Sequence, residues 1–235
     1  MLKNTIALKF GKENNMKQEL TITVPKDWSA VTLNQYLELR KDMLSYEGDE
    51  EALTACLFHH LCKFPLEYLQ QLDLDTYISI KREILDFYNK VDYPLKKFIH
   101  IDGVKYGFEP NLSQMAYGAY VDISKYETLE IDTKWAEIMS ILYRPVVRES
   151  GALYDIKSYD GDIDGDKFMK VGMDVHFGSL FFLSSLLKDL LNDTQKSLMG
   201  ELMETDLPLK LKQILQKNGN LTHQLSNYHK EILPK

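Results

Sequence analysis

Apolar and polar positions change period several times along this chain, and each change marks an element. Thr5-Ile6-Ala7-Leu8-Lys9-Phe10 and Glu19-Leu20-Thr21-Ile22-Thr23-Val24 alternate as strands do, separated by polar Gly11-Lys12-Glu13-Asn14-Asn15 and closed by Pro25. They predict an N-terminal β-hairpin. Thr32-Leu33-Asn34-Gln35 then has the spacing of a capping box, in which hydroxyl and amide each satisfy a free backbone donor. A helix is expected from there, with Leu33, Tyr36, Leu37, Met43 and Leu44 on its apolar face and Arg40 interrupting it. Asp49, Glu50 and Glu51 suit a second helix start, because carboxylates complement exposed backbone N–H groups. That helix carries Leu53, Leu57 and Leu61, and a third is expected from about Leu74 to Tyr88 with Tyr77, Ile80, Ile84 and Phe87 at helical spacing.

The period then returns to two. Phe98-Ile99-His100-Ile101 and Val104-Lys105-Tyr106-Gly107-Phe108 are joined by Asp102-Gly103, a link whose positions both tolerate positive φ, so a tight hairpin is predicted. A short helix is expected near Leu112–Tyr120. Asp132–Tyr143 follows as an apolar helix with Trp135, Ile138, Met139 and Leu142 on one side, stopped by Pro145 with Arg144 at its carboxyl end. Residues 146–172 are polar, rich in glycine and aspartate, and predict a long surface excursion. A helix at about Phe177–Leu191 is apolar almost all round, which suits a core position or a helix partly covered by another chain. Helical segments are expected around Gln195–Glu204 and Leu209–Gln216.

This order predicts an α+β, predominantly α-helical protein. Its parts are an N-terminal β-hairpin arm over residues 1–25, a mainly helical core over 26–192 containing the hairpin 97–108, and a C-terminal helical extension over 193–235. At 235 residues and 44% hydrophobic the chain is long enough for a full core. Its formal net charge of −7 recruits neither nucleic acid nor anionic membrane, so proteins are the expected partners. No stretch reaches the roughly 18 consecutive apolar residues of a membrane span, and the start lacks the basic and apolar pattern of a signal peptide. A cytosolic, soluble protein is expected.

Two groups of residues carry candidate chemistry. Cys56, His59, His60 and Cys62 have the side chains of a zinc site, but on one helix Cys62 points away from the others. The expectation is a core-packed Cys56 and His60, His59 toward solvent, and no disulfide. Asp160-Gly161-Asp162-Ile163-Asp164-Gly165-Asp166 reproduces the opening of a calcium loop, which makes Asp160, Asp162 and Asp164 weak metal candidates. The match fails at the twelfth position, where Val171 replaces a bidentate glutamate, and Lys167 stands where an apolar residue is usual. No Gly-x-Ser-x-Gly elbow and no phosphate-cradling glycine loop occurs, and Lys210, Lys212, Lys217 and Lys230 are too sparse for a nucleic-acid groove.

Ile22-Thr23-Val24-Pro25, Thr32-Leu33-Asn34-Gln35-Tyr36, the helices ending near Tyr88, the Asp102-Gly103 hairpin and Trp135 through Ile141-Leu142-Tyr143-Arg144-Pro145 together resemble tail-assembly chaperones of tailed bacteriophages. The similarity runs from near Leu20 to near Leu190 and takes in the Phe181-Phe182 helix. It implies a non-catalytic protein without a cofactor that binds other phage structural or assembly proteins, or itself, during tail or connector assembly. The host cytoplasm is the implied site of action, with the virion as the alternative if the chain is a permanent ring or tail subunit. Tyr143, Arg144, Phe181 and Phe182 are the residues expected at partner contacts, together with the N-terminal hairpin. Arg144 is also expected to hold the helix end to a carboxylate or to backbone carbonyls. The competing class is a metal-assisted enzyme using the Asp160–Asp166 loop. Lacking two of the usual coordinating oxygens, that loop is expected to show no calcium affinity in the micromolar range or tighter by titration calorimetry; such affinity, abolished by Asp162→Ala, would reverse the assignment.

Overall fold

Helix starts follow the capping chemistry of the chain. Thr32 Oγ1 accepts from the Gln35 amide at 3.3 Å and Gln35 Oε1 from the Thr32 amide at 3.0 Å, and α1 (Leu33–Ser45) begins there. Asp49 accepts from the Ala52 amide at 3.0 Å ahead of α2 (Glu50–Cys62), and Asp73 from the Thr76 amide at 2.9 Å ahead of α3 (Leu74–Tyr88). The structure, a computed structural model, describes residues 4–10, 18–90, 93–126, 131, 132 and 134–186.

The expected N-terminal hairpin is present as β1 (Asn4–Phe10) and β2 (Gln18–Val24), antiparallel with Ile6 opposite Ile22 and Leu8 opposite Leu20. An isolated two-stranded hairpin is marginal in water. Here β2 lies against α2 and α3, and Ile22 and Val24, on one face by the two-residue period, are buried. Leu57, Phe58 and Leu61 of α2 and Ile80, Ile84 and Phe87 of α3 are buried with them. Trp28, in a short 3-10 turn, ties three elements together. Its ring meets Tyr36 of α1 at 5.8 Å, Phe87 of α3 at 4.7 Å and Phe177 at 5.2 Å between centroids. On α1 the buried face is Leu33, Tyr36 and Leu39, whereas Leu44, expected inside, is exposed. Arg40 completes the inner stripe by donating to the Ile131 carbonyl at 2.5 Å.

Four antiparallel strands form the sheet in the order β3 (Phe98–Ile101), β4 (Val104–Phe108), β5 (Tyr143–Ser150) and β6 (Leu153–Ile156). Asp102 and Gly103 both take left-handed φ, 49° and 79°, as a two-residue hairpin turn requires. Between β4 and β5 run a 3-10 turn at Leu112–Gln114, α4 (Tyr117–Ser124) and α5 (Trp135–Leu142). The helix expected near Leu112–Tyr120 is therefore split and shifted. Asp132 does not open α5, whose N-cap is Lys134; its carboxylate accepts from the Lys134 amide at 2.8 Å and the Trp135 amide at 3.1 Å just ahead of the helix.

Two expectations are corrected in the second half. Pro145 does not simply stop a helix: α5 passes directly into β5, and Pro145 pairs with Tyr106 inside the strand. The Glu109 amide donates to the Leu142 carbonyl at 2.7 Å, so the bonding alternation places Pro145 where β4 asks nothing of its nitrogen. Residues 146–172 are not wholly an excursion either, because β5 and β6 form a hairpin. A register shift between Val146 and Arg148 breaks the alternation, and Arg148-Glu149-Ser150 is exposed, so no two-residue pattern survives in the sequence. Gly107 admits this hairpin. A Cβ there would lie 2.7 Å from the Tyr154 ring, which also meets Phe98 at 4.6 Å and donates its hydroxyl to the Phe108 carbonyl at 2.6 Å.

A last helix, α6, covers 173–186 and starts four residues ahead of the expected Phe177. The fold is α+β and mainly helical. Contacts divide the chain into residues 1–178 and 179–235; of the second unit, 179–186 are described and helical. The expected end of that helix at Leu191, the segments Gln195–Glu204 and Leu209–Gln216, and the 193–235 extension lie outside the described residues. A Cβ on Gly103 would meet nothing within 4 Å, so Gly103→Val isolates backbone strain from packing. It is expected to lower stability by about 1–2 kcal/mol in urea denaturation, and an unchanged midpoint would contradict the left-handed turn.

Candidate functional site

Tyr143 and Arg144 begin β5, and both face inward. Tyr143 is 1% exposed and donates its hydroxyl to the Lys96 carbonyl at 2.6 Å, with the Phe108 ring beside it at 5.1 Å. Arg144 is buried, pairs with the equally buried Glu109 at 2.5 Å, and donates to the Ile141 carbonyl at 3.3 Å. Neither residue offers a partner a surface in this fold. Arg144 holds the end of α5 through both a carboxylate and a backbone carbonyl. Its guanidinium also lies 5.8 Å from the Tyr159 ring, and the Tyr159 hydroxyl donates to Asp122. Burial first, and the Asp122 bond second, push the Tyr159 hydroxyl up to about 12, while Lys125 and then Tyr159 hold Asp122 below the usual carboxylate range. The cluster ties α4, α5 and the segment after β6 together.

His176, which drew no attention in the sequence, is fully buried between two partners. Trp135 Nε1 donates to its Nδ1 at 3.1 Å, so Nε2 carries the hydrogen and donates to the Phe168 carbonyl at 3.2 Å. Burial holds its pKa down at about 4. The ring is a neutral structural link.

The Asp160–Asp166 loop spends its carboxylates locally. Lys157 pairs with Asp160 at 2.7 Å, Lys167 with Asp164 at 2.8 Å, and the Asp162 amide donates to Asp160 at 3.2 Å. Asp160 and Asp164, two of the three weak metal candidates, thus already face ammonium groups. Gly165 is pressed against the start of α5, where a Cβ would sit 3.0 Å from the Glu137 nitrogen. Cys56 is a buried free thiol, raised by burial, and His60 binds Asp42 at 2.7 Å while His59 is exposed. Cys62 is a second buried thiol, pushed up to about 12 by burial. Both are protonated packing groups. In the second unit, Phe182 is 38% exposed and Phe181 half-buried.

What remains open to solvent is surface. Leu74, Ile78 and Leu85 of α3 are 70%, 44% and 37% exposed and fall within an arc of about 40° along the helix, to one side of its polar outer face. Lys81 lies in the same stripe and pairs with Glu50 at 2.7 Å. The sequence carried this signal as a second set of helically spaced apolar residues, masked by the stronger Ile80, Ile84, Phe87 set. A cleft of about 390 Å³ lies along β3, walled on its far side by residues between Lys167 and Val175 and closed at one end by the Lys96–Asp174 ion pair. Among the described residues no helix is long and apolar enough to cross a membrane. No family model matches this chain, and neither does any curated protein or solved structure.

Two variants test the interior assignments. Arg144→Ala leaves Glu109 charged and buried without its partner and is expected to cost about 3 kcal/mol or more, with Arg144→Lys between it and wild type; equal stability of all three would place the pair in solvent. For His176 the folded pKa is depressed, so below about 6.5 the unfolded chain takes up a proton that the folded chain refuses. Its contribution is complete above pH 6.5 and declines as pH falls toward about 4, by on the order of 3 kcal/mol. Urea midpoints from pH 7.5 to 4 should fall more steeply for wild type than for His176→Gln, and parallel curves would contradict the buried neutral ring.

Proposed function

We propose that this protein is a non-catalytic assembly factor of a tailed bacteriophage, working through contacts with other phage proteins during tail or connector assembly. The observation that carries the reading is the aliphatic stripe Leu74, Ile78 and Leu85 on the solvent side of α3. Aliphatic side chains aligned on one exposed helix face, on an acidic chain, supply the apolar centre that protein interfaces need. The segment order from Ile22 to Pro145, with its Asp102-Gly103 hairpin and Trp135 helix, supports the phage assignment through its resemblance to tail-assembly chaperones. The enzyme alternative draws little support from the Asp160–Asp166 loop, since Lys157 and Lys167 occupy two of its three candidate ligands.

Two measurements test the proposal. The tagged chain, expressed in cells infected by the phage that encodes it, should co-purify with identified phage proteins, and Leu74→Glu/Ile78→Glu should reduce that recovery without changing the denaturation midpoint. Mass spectrometry of purified particles then separates the two modes: absence marks a transient chaperone, stoichiometric recovery a permanent ring or tail subunit. A chain that recovers no phage protein and enters no particle would refute the assembly reading.

A further inference from the structure

The exposed apolar residues of α3 are spaced as a seam. Leu74, Ile78, Lys81 and Leu85 follow one another at intervals of four, three and four residues, which is the spacing of the a and d positions of a heptad. A seam of that spacing packs against another helix. Lys81, the one charged member, is met by Glu50 of α2 at 2.7 Å, and a lysine inside a seam narrows the pairings that the seam accepts. Along the outer border, one position after Leu74 and one after Lys81, stand Asp75 and Arg82. Both are exposed, and neither has an ion-pair partner among the described residues.

These positions complement themselves. When a second α3 is laid antiparallel on the first, about a two-fold axis between Ser79 and Ile80, Leu74 meets Leu85 of the second copy and Ile78 meets its Lys81. In that same register Asp75 borders Arg82 of the second copy, and two-fold symmetry makes each contact twice. The two Lys81 side chains fall on opposite sides of the axis, each with its own Glu50. A parallel pair would set Lys81 against Lys81 at one level and take Arg82 away from Asp75.

We infer that the α3 stripe is covered by the α3 stripe of a second copy of this chain, as an antiparallel two-fold pair bordered by Asp75–Arg82 ion pairs. Charge selects this occupant: the chain carries both signs, unpaired, in the register that its own apolar residues require. The 15 residues of α3 span about 22 Å, a short contact at the small end of specific interfaces, so association in the micromolar range is expected. The inference rests on the assembly reading for the use of the stripe, the dimer being the form that meets other phage proteins, but not for the pairing itself.

Sedimentation equilibrium of the full chain at low salt, over about 1–500 μM, should follow a monomer–dimer equilibrium. Asp75→Arg or Arg82→Asp alone turns two attractive pairs into two repulsive ones and should weaken the dimer about tenfold, whereas Asp75→Arg/Arg82→Asp should restore it to within about twofold. Recovery in the double variant separates lost pairing from lost folding. Mixing Leu74→Cys with Leu85→Cys under mild oxidation should give an intermolecular disulfide that neither variant gives alone; the native Cys56 and Cys62 are buried. A chain that stays monomeric throughout, a dimer indifferent to both sign exchanges, or cross-linking of Leu74→Cys with itself would overturn the inference. If the chain is monomeric and still recovers phage proteins through the stripe, self-pairing falls and the assembly reading stands. If the dimer forms as described and no phage protein is recovered, the reverse holds.

Discussion

The passage from α5 into β5 without a loop is the constraint around which the rest is arranged. A helix that becomes a strand at Leu142–Tyr143 fixes the sheet relative to the helix, because the two share a rigid covalent joint. Four bonds then hold the joint. Glu109 N–H meets the Leu142 carbonyl, Arg144 reaches back to the Ile141 carbonyl and across to Glu109, and the Tyr143 hydroxyl anchors on the Lys96 carbonyl just before β3. The ends of both the first and the second strand of the sheet are thereby tied to one helix end. The buried ion pair is incompletely satisfied, since Arg144 Nε has no hydrogen-bond partner among the described residues. Its value lies more in specifying where the joint sits than in net stability.

From that joint two buried links reach outward. Trp135, at the other end of α5, grips α6 through a neutral His176, and Trp28 gathers α1, α3 and Phe177 around one indole. Aromatic rings thus connect elements distant in sequence while burying few charges. The titratable groups whose pKa values are displaced most strongly are phenols, thiols and His176, each displaced mainly by burial and each held in its neutral form. That pattern describes packing, and it directs attention from the interior to the surface.

On the surface, two features have no use within the described fold: the α3 stripe and the outward edge of β3. Edge strands are commonly protected by charge, bulges or covering loops. Here the 167–175 segment lies across a cleft from the β3 edge and is pinned to residues 31–33 rather than to the strand. The edge is left unpaired.

Local chemistry alone determined much of this protein. The capping box at Thr32, the carboxylate caps before α2 and α3, and the Asp102-Gly103 turn are all written in neighbouring residues, because each depends on interactions spanning three or four positions. Composition and periodicity likewise sufficed for a mainly helical α+β fold. Tertiary structure decided the rest. Pro145 reads locally as a helix stop, and only the β4 ladder shows that it occupies a strand site from which β4 needs no donor. The β5–β6 hairpin has little alternation of its own, because a register shift scrambles it, and it forms because Tyr154 finds room over Gly107. Arg144 looks like an exposed cation until Glu109, thirty-five residues earlier, is brought beside it. The open edge of β3 is equally invisible in sequence, since which backbone atoms a strand leaves unpaired depends on which neighbour it has.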